Sequence, residues 1–297
     1  MTVDYAPSNA YETKISDIEF RRDPGRTLMA RIYQPQGQGP FPALLDLHGG
    51  AWNDQDRTAN APMDERLAAS GILVAAIDLR LASEAPYPAS AADANCGIRW
   101  LKEKAPEWKA DPQTVGVLGS SSGGHVAQLC GMRPNDSRYN ALPLHEAPHR
   151  DATLAYVAAR SPISDPFARY QQAKRMGREN LIKNSEIYFN PWETIFEGNP
   201  QLILERSEPV SLPPMLILQG GLDDNVLPEV QERFVATYRN AGGEIDYELF
   251  VGCEHRWVAQ PGPQTDRAVE LIKNFIARQL ANRQKSGSRV NSVNPLS

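Results

Sequence analysis

The stretch Val115-Gly116-Val117-Leu118-Gly119-Ser120-Ser121-Ser122-Gly123-Gly124-His125-Val126-Ala127 decides how this chain is read. An apolar run ends at Gly119, and a segment of small residues suited to a helix begins at Ser122. Between them, Gly119-Ser120-Ser121-Ser122-Gly123 matches G-x-S-x-G in the strand-to-helix setting that this pattern requires. A turn this tight has no room for bulky neighbours, so glycines two positions on either side of the central residue let the chain reverse. That lifts the Ser121 hydroxyl clear of the sheet, while the following helix aims its first N–H groups at any anion forming there. A plain Ser/Gly turn or a phosphate cradle is the competing reading. The strand before and the helix after favour a nucleophile, and only Ser121 is centred between the two glycines.

Working outward, Ala43-Leu44-Leu45-Asp46-Leu47 and Ile72-Leu73-Val74-Ala75-Ala76-Ile77-Asp78 are also short apolar runs without alternation. The rhythm resumes with Leu154 to Ala158, Met215 to Leu218 and Ile245-Asp246-Tyr247-Glu248-Leu249-Phe250. Helical spacing fills the gaps around Met63 to Ala69, Pro88 to Lys104 and Ser122 to Cys130, with a closing helix from Asp266 to Ala281. Such a rhythm predicts an α/β fold whose parallel sheet is covered by helices on both faces. Ahead of it, Lys14 to Arg22 and Thr27 to Tyr33 alternate about a turn at Asp23-Pro24-Gly25, as an antiparallel hairpin does. A long interruption, 166–211, is rich in Arg, Lys, Asn and aromatic residues and is expected to fold as a small helical cap. Residues 1–282 are expected to form one domain, and 283–297 an unstructured tail.

The chain has 297 residues, with 31 Lys plus Arg against 36 Asp plus Glu and a formal net charge of −5. Hydrophobic residues at 41% and charged residues at 23% exclude a disordered, collagen-like or coiled-coil chain. No basic stripe is present, which argues against nucleic acid as a partner. No apolar run is long enough to span a bilayer. The start, Met1-Thr2-Val3-Asp4-Tyr5, lacks the basic and apolar segments of a signal peptide. Cys96, Cys130 and Cys253 form no metal-binding spacing and cannot all pair, which suits a reducing cytoplasm. A homodimer is left open.

A serine hydroxyl needs a base. Of the five histidines, His255 follows the last predicted strand in Gly252-Cys253-Glu254-His255. His48 belongs to a glycine loop, His125 to the helix behind Ser121 where packing is its expected role, and His145 and His149 to a polar stretch. The base needs a carboxylate in turn. Gln219-Gly220-Gly221-Leu222-Asp223-Asp224-Asn225-Val226 leaves a strand and offers Asp223, with Asp224 in reserve and Asp78 as the rival elsewhere. One of these acids, or Asn225, could instead cap the helix that starts near Pro228. The order Ser121, Asp223, His255 is Ser–acid–His, with each residue after the C-terminal end of a predicted strand. In His48-Gly49-Gly50-Ala51-Trp52, the N–H groups of Gly50 and Ala51, with that of Ser122, are candidates for an oxyanion hole.

Together these motifs resemble the α/β-hydrolases, nearest to the branch of hormone-sensitive-lipase-like esterases, feruloyl and acetyl-xylan esterases and kynurenine formamidase. The likeness covers roughly residues 40 to 280. It implies a mostly parallel eight-stranded sheet, a triad of Ser121, Asp223 and His255, and an oxyanion hole from Gly50, Ala51 and Ser122. It also implies a serine hydrolase that cleaves a small or medium-sized carboxylic ester through an acyl-enzyme, without metal or cofactor. An aryl formamidase or another amide, carbamate or lactone hydrolase is the alternative, and a non-catalytic receptor on the same scaffold the distant one. Ala51 and Trp52 stand where lipase-like members carry a third glycine, and Gln219 where a histidine is frequent. Trp52, Tyr87, Phe167, Tyr188 and Trp257 are candidates for apolar pocket walls. Arg160 would face an anionic substrate group or form a surface ion pair.

Overall fold

Alternating side chains make the first two strands, β1 (Thr13–Asp23) and β2 (Arg26–Pro35), an antiparallel hairpin with a register shift between Glu19 and Arg21. In this computed structural model, which describes residues 3–23, 25–257 and 261–292 (backbone only for Asp23 and 286–292), the hairpin edges a larger sheet. The apolar runs become β3 (Ala43–Leu47), β4 (Leu73–Ile77), β5 (Gly116–Ser120), β6 (Val157–Arg160), β7 (Met215–Gly220) and β8 (Ile245–Phe250). The eight-stranded sheet among the described residues has the order β1-β2-β4-β3-β5-β6-β7-β8. β2 lies antiparallel on β4, and the remaining neighbours from β4 to β8 are parallel. This is the mostly parallel architecture expected, with its antiparallel N-terminal hairpin.

Strands buried on both faces need a helical layer on each. On one face, α1 (Ala61–Ala69) and α9 (Pro263–Ser292) pack Met63, Leu67, Ile272 and Phe275 against Leu44, Val74, Leu118 and Leu216. On the other, α2 (Ala89–Lys104), α3 (Ser122–Met132) and α8 (Pro228–Asn240) cover Leu45, Ile77, Val117 and Ile217. The closing helix, expected over 266–281, extends to Ser292 and so into the stretch expected to lack structure. Residues 293–297 of that stretch lie outside the described residues.

The interruption folds as α4 (Pro166–Arg175), α5 (Glu179–Tyr188), α6 (Thr194–Glu197) and α7 (Pro200–Glu205) between β6 and β7. Asp165 caps α4 by accepting from the Ala168 N–H at 2.9 Å, and Asn199 caps α7 through the Leu202 N–H at 3.1 Å. After β3 the chain steps to one side for β4, then returns to the other side of β3 for β5. The loops leaving β3 and β5 therefore diverge, and a crevice opens between them at the carboxyl ends of the strands. The Gly49-Gly50-Ala51 loop and Ser121 sit at that crevice.

Candidate active site

Ser121 joins β5 to α3 with φ 54° and ψ −113°, a conformation that L-residues adopt only when their surroundings impose it. Here the surroundings do. Its N–H donates to the Arg160 carbonyl at 2.9 Å, and its own carbonyl accepts from His125 at 3.0 Å and Ile163 at 3.2 Å. Gly123 lies so close under the β3 loop that a Cβ there would strike the carbonyls of Leu47 and His48. The close approach brings the N-terminus of α3 against the oxyanion-loop candidate. Gly50 at φ 94°, Ala51 at 51° and Trp52 at 61° all hold positive φ in succession, and a Cβ on Gly50 would strike the Asp54 carbonyl. Gly50 and Ala51 share the wall of one cleft with Ser121 and His255. Ser122 is the first residue of α3, where a backbone N–H has no acceptor within the helix.

His255 follows β8 and Asp223 follows β7, neighbouring strands in the sheet. The Nε2 of His255 is 2.9 Å from the Ser121 Oγ, and its Nδ1 is 2.7 Å from the Asp223 Oδ2. With Asp223 ionised, Nδ1 holds the imidazole proton and donates it, leaving Nε2 to accept from the serine hydroxyl. Burial works against the charge on Asp223, but the His255 bond and field, with the N–H groups of Val226 and Asn225, outweigh it. The carboxyl is held below its ordinary range. Those N–H groups reach Oδ1 at 2.8 and 3.0 Å. Gln219 was missed as a functional residue in the sequence: its Nε2 donates to the Asp223 Oδ2 at 3.1 Å and to the Val226 carbonyl at 2.9 Å. Its place at the end of β7, four residues before the acid, was the available signal.

The rival acids are engaged elsewhere. Asp224 pairs with Arg178, and Asp78 accepts from the N–H groups of Met29 and Arg57, each at 3.1 Å. Asn225 accepts from the Arg169 Nε at 3.0 Å, and α8 starts after Leu227 with no side-chain cap.

The aromatic wall candidates require correction, because none of them lines this cleft. Trp52 stacks on Tyr188 with centroids 4.6 Å apart and donates its Nε1–H to the His125 Nδ1 at 3.1 Å. The Tyr188 hydroxyl bonds Ser90, and that of Tyr87 bonds Tyr139 and Glu197. Phe167 packs on Phe196 and Trp257 on Phe250. Large apolar area favours burial, and these rings hold the helical layers together. His125 takes the packing role expected of it: Nε2 bonds the Gly198 carbonyl at 2.6 Å, and burial lowers its pKa to about 4.

The cleft, about 450 Å³, is instead walled by polar and basic groups, among them Asn60, Arg160, Arg169, Asn180 and Asn184. A second hollow of about 700 Å³ adjoins it and shares Asn180, Leu181, Asn225, His255 and Arg256. Arg160 forms no surface ion pair; it is buried. Among the described residues, no group of three His, Cys, Asp or Glu side chains is placed to hold a metal ion, and no helix is long and apolar enough to cross a membrane.

Two comparisons of sequence and one of structure bear on this arrangement. The esterase LipC of Mycobacterium tuberculosis is 26% identical over 271 residues, which cover 89% of this chain and 66% of LipC. LipM of the same organism, described as a probable carboxylic ester hydrolase, is 31% identical over 84% of this chain and 57% of its own. The chain thus spans somewhat less than two thirds of the length of these relatives. Esterase B from Lactobacillus rhamnosis superposes with a TM-score of 0.76 at 20% identity, covering 96% of this chain and 91% of that one. The fold is that of α/β-hydrolase esterases. The BD-FAE family model matches residues 31–237, which take in the second half of β2, the glycine loop, the elbow at Ser121 and Asp223. On that match, over more than half its length, the chain belongs to the BD-FAE family.

Proposed function

We propose that this protein is a serine hydrolase that cleaves a carboxylic ester of a small or medium-sized substrate. The observation that carries the reading is the continuous relay from the Ser121 hydroxyl through His255 to Asp223. Ser121 attacks the ester carbonyl as His255 takes its proton, and Asp223 stabilises the imidazolium. The N–H groups of Gly50, Ala51 and Ser122 receive the tetrahedral oxyanion; losing one such donor typically costs about 3 kcal/mol of transition-state stabilisation. His255 then protonates the leaving alcohol. Water, deprotonated by the same imidazole, releases the acid and restores Ser121.

The names of the esterase relatives support the bond type. Helices α4 and α5 put Arg169, Asn180, Leu181 and Asn184 into the cleft wall, which supports a role for this insertion in choosing acyl and alcohol groups. Cys96, Cys130 and Cys253 are all buried and unpaired, which supports residence in the cytoplasm.

The test is turnover of p-nitrophenyl esters from acetate to decanoate beside N-formylkynurenine, for the wild-type chain and Ser121→Ala. The expected outcome is ester hydrolysis that falls on the order of 10⁴-fold or more in the variant. Formamide turnover exceeding every ester would move the assignment to an aryl formamidase.

A further inference from the structure

Arg160 closes β6 opposite Ser120, and the parity of the strand sends its side chain to the sheet face that carries Leu118 and Asp46. It is 3% exposed, lines the cleft with Ser121 and His255, and its Nε and Nη2 have no hydrogen-bond partner. Asp46 and Asp64 lie near enough to act on it through their fields, yet neither forms an ion pair with it. Asp46 is taken by Asn60, whose Nδ2 donates to both carboxylate oxygens at 3.1 and 2.8 Å. Asp64 has no partner on either oxygen, and burial biases both acids toward their neutral forms. The guanidinium is left short of an acceptor.

Arg169 of α4 approaches the same cleft from the insertion. It too is 3% exposed; its Nε donates to Asn225 at 3.0 Å and its Nη1 to Ser185 at 3.5 Å, while Nη2 is unpartnered. The carboxylate that shares the cleft wall with the two arginines is the exposed Asp54. A buried guanidinium with unpaired donors is costly unless an anion completes it, and its planar fork suits the two oxygens of a carboxylate.

We propose that the cleft takes an ester that also carries a free carboxylate, seated against Arg160 and Arg169 while the ester carbonyl lies at Ser121. This rests on the ester-hydrolase reading above. A neutral ester of the same shape leaves those donors unpaired and binds more weakly.

The test has a kinetic arm and a binding arm. The kinetic arm compares p-nitrophenyl hemiglutarate with p-nitrophenyl pentanoate for a carboxylate on the acyl side, and 3-acetoxybenzoate with phenyl acetate for one on the alcohol side. In at least one pair the charged ester should lead in kcat/KM by about 10-fold or more, chiefly through KM. Arg160→Gln should bring that ratio close to unity, and Arg160→Lys should restore part of it. The ratio is read within each variant, so a general loss of activity does not mimic the effect. In the binding arm, Ser121→Ala is titrated calorimetrically with monomethyl glutarate and with methyl pentanoate, and the acid should bind about 10-fold tighter or better. Tighter binding of the acid by a chain that cleaves no ester would keep the anion seat and remove the esterase reading. Equal binding together with equal kinetics would overturn the proposal, as would a preference that survives in both Arg160→Gln and Arg169→Gln. If the arginine variants fail to fold, the wild-type kinetic pairs and the Ser121→Ala titration decide the matter alone.

Discussion

At the scale of single residues, the site is a set of donors matched to acceptors, and Asp223 is the most heavily matched of them. It receives His255 and Gln219 on Oδ2 and two backbone N–H groups on Oδ1. Replacing it by Asn keeps the shape but offers an amide N–H where an acceptor is needed, which favours the wrong imidazole tautomer. Asp223→Asn should lower kcat about 10⁴-fold on p-nitrophenyl butyrate while its far-ultraviolet circular dichroism stays native. Because this carboxyl is held below its ordinary range, its contribution to stability is present above that range and disappears as pH falls through the still lower folded value. Ser121, Asp223 and His255 were readable in the sequence because each is a reactive side chain after a strand, in an order with few alternatives. The cleft wall was not readable. Asn60, Asn180 and Asn184 belong to no motif that sets them apart from solvated surface residues, while conspicuous rings such as Trp52 and Tyr188 obey the stronger pull of burial.

Elements show the same division. Apolar runs marked β3, β4, β5 and β7 to within two residues at each end, because strands covered on both sides have little polar face to interrupt them, whereas β8, an edge strand, was marked at its bounds although Asp246 and Glu248 interrupt it. β6 was expected at 154–158 and lies at Val157–Arg160. Pairing there starts opposite Val117 and Met215, and it continues through a buried arginine that apolarity alone would place outside the strand. The four helices of the insertion were expected only as a cap, since their boundaries depend on caps such as Asp165 and on packing against α8. Leu181 of α5 lines both hollows of the site. Leu181→Trp should therefore raise the acetate-to-octanoate ratio of kcat/KM by about 10-fold, measured on the p-nitrophenyl series.

Across the whole molecule, the sheet separates two cores, and one of them holds buried acids: Asp46 of β3 and Asp64 of α1. Burial raises the Asp46 pKa to about 6. The folded state then keeps a proton that the unfolded chain releases, so this group's contribution to stability is complete below the ordinary carboxylate range and is lost as pH rises through about 6. Asp46→Asn removes that loss. The melting temperature of the variant relative to wild type should rise between about pH 4 and about pH 7, followed by calorimetry; a constant difference would show that Asp46 stays ionised throughout. The alternation of strands and helices announced a covered sheet, but the lateral sequence β4-β3-β5 could not be heard in that rhythm, since alternation alone does not say to which side a crossover turns. That reversal has a bearing on descent. The glycine loop and the serine hang from adjacent interior strands, where a shift of one would dislodge its neighbour, whereas the insertion hangs from the same rim by two loops. Substitutions in the insertion can therefore reshape the cleft wall while the loops that carry Gly50 and Ser121 stay where the sheet fixes them.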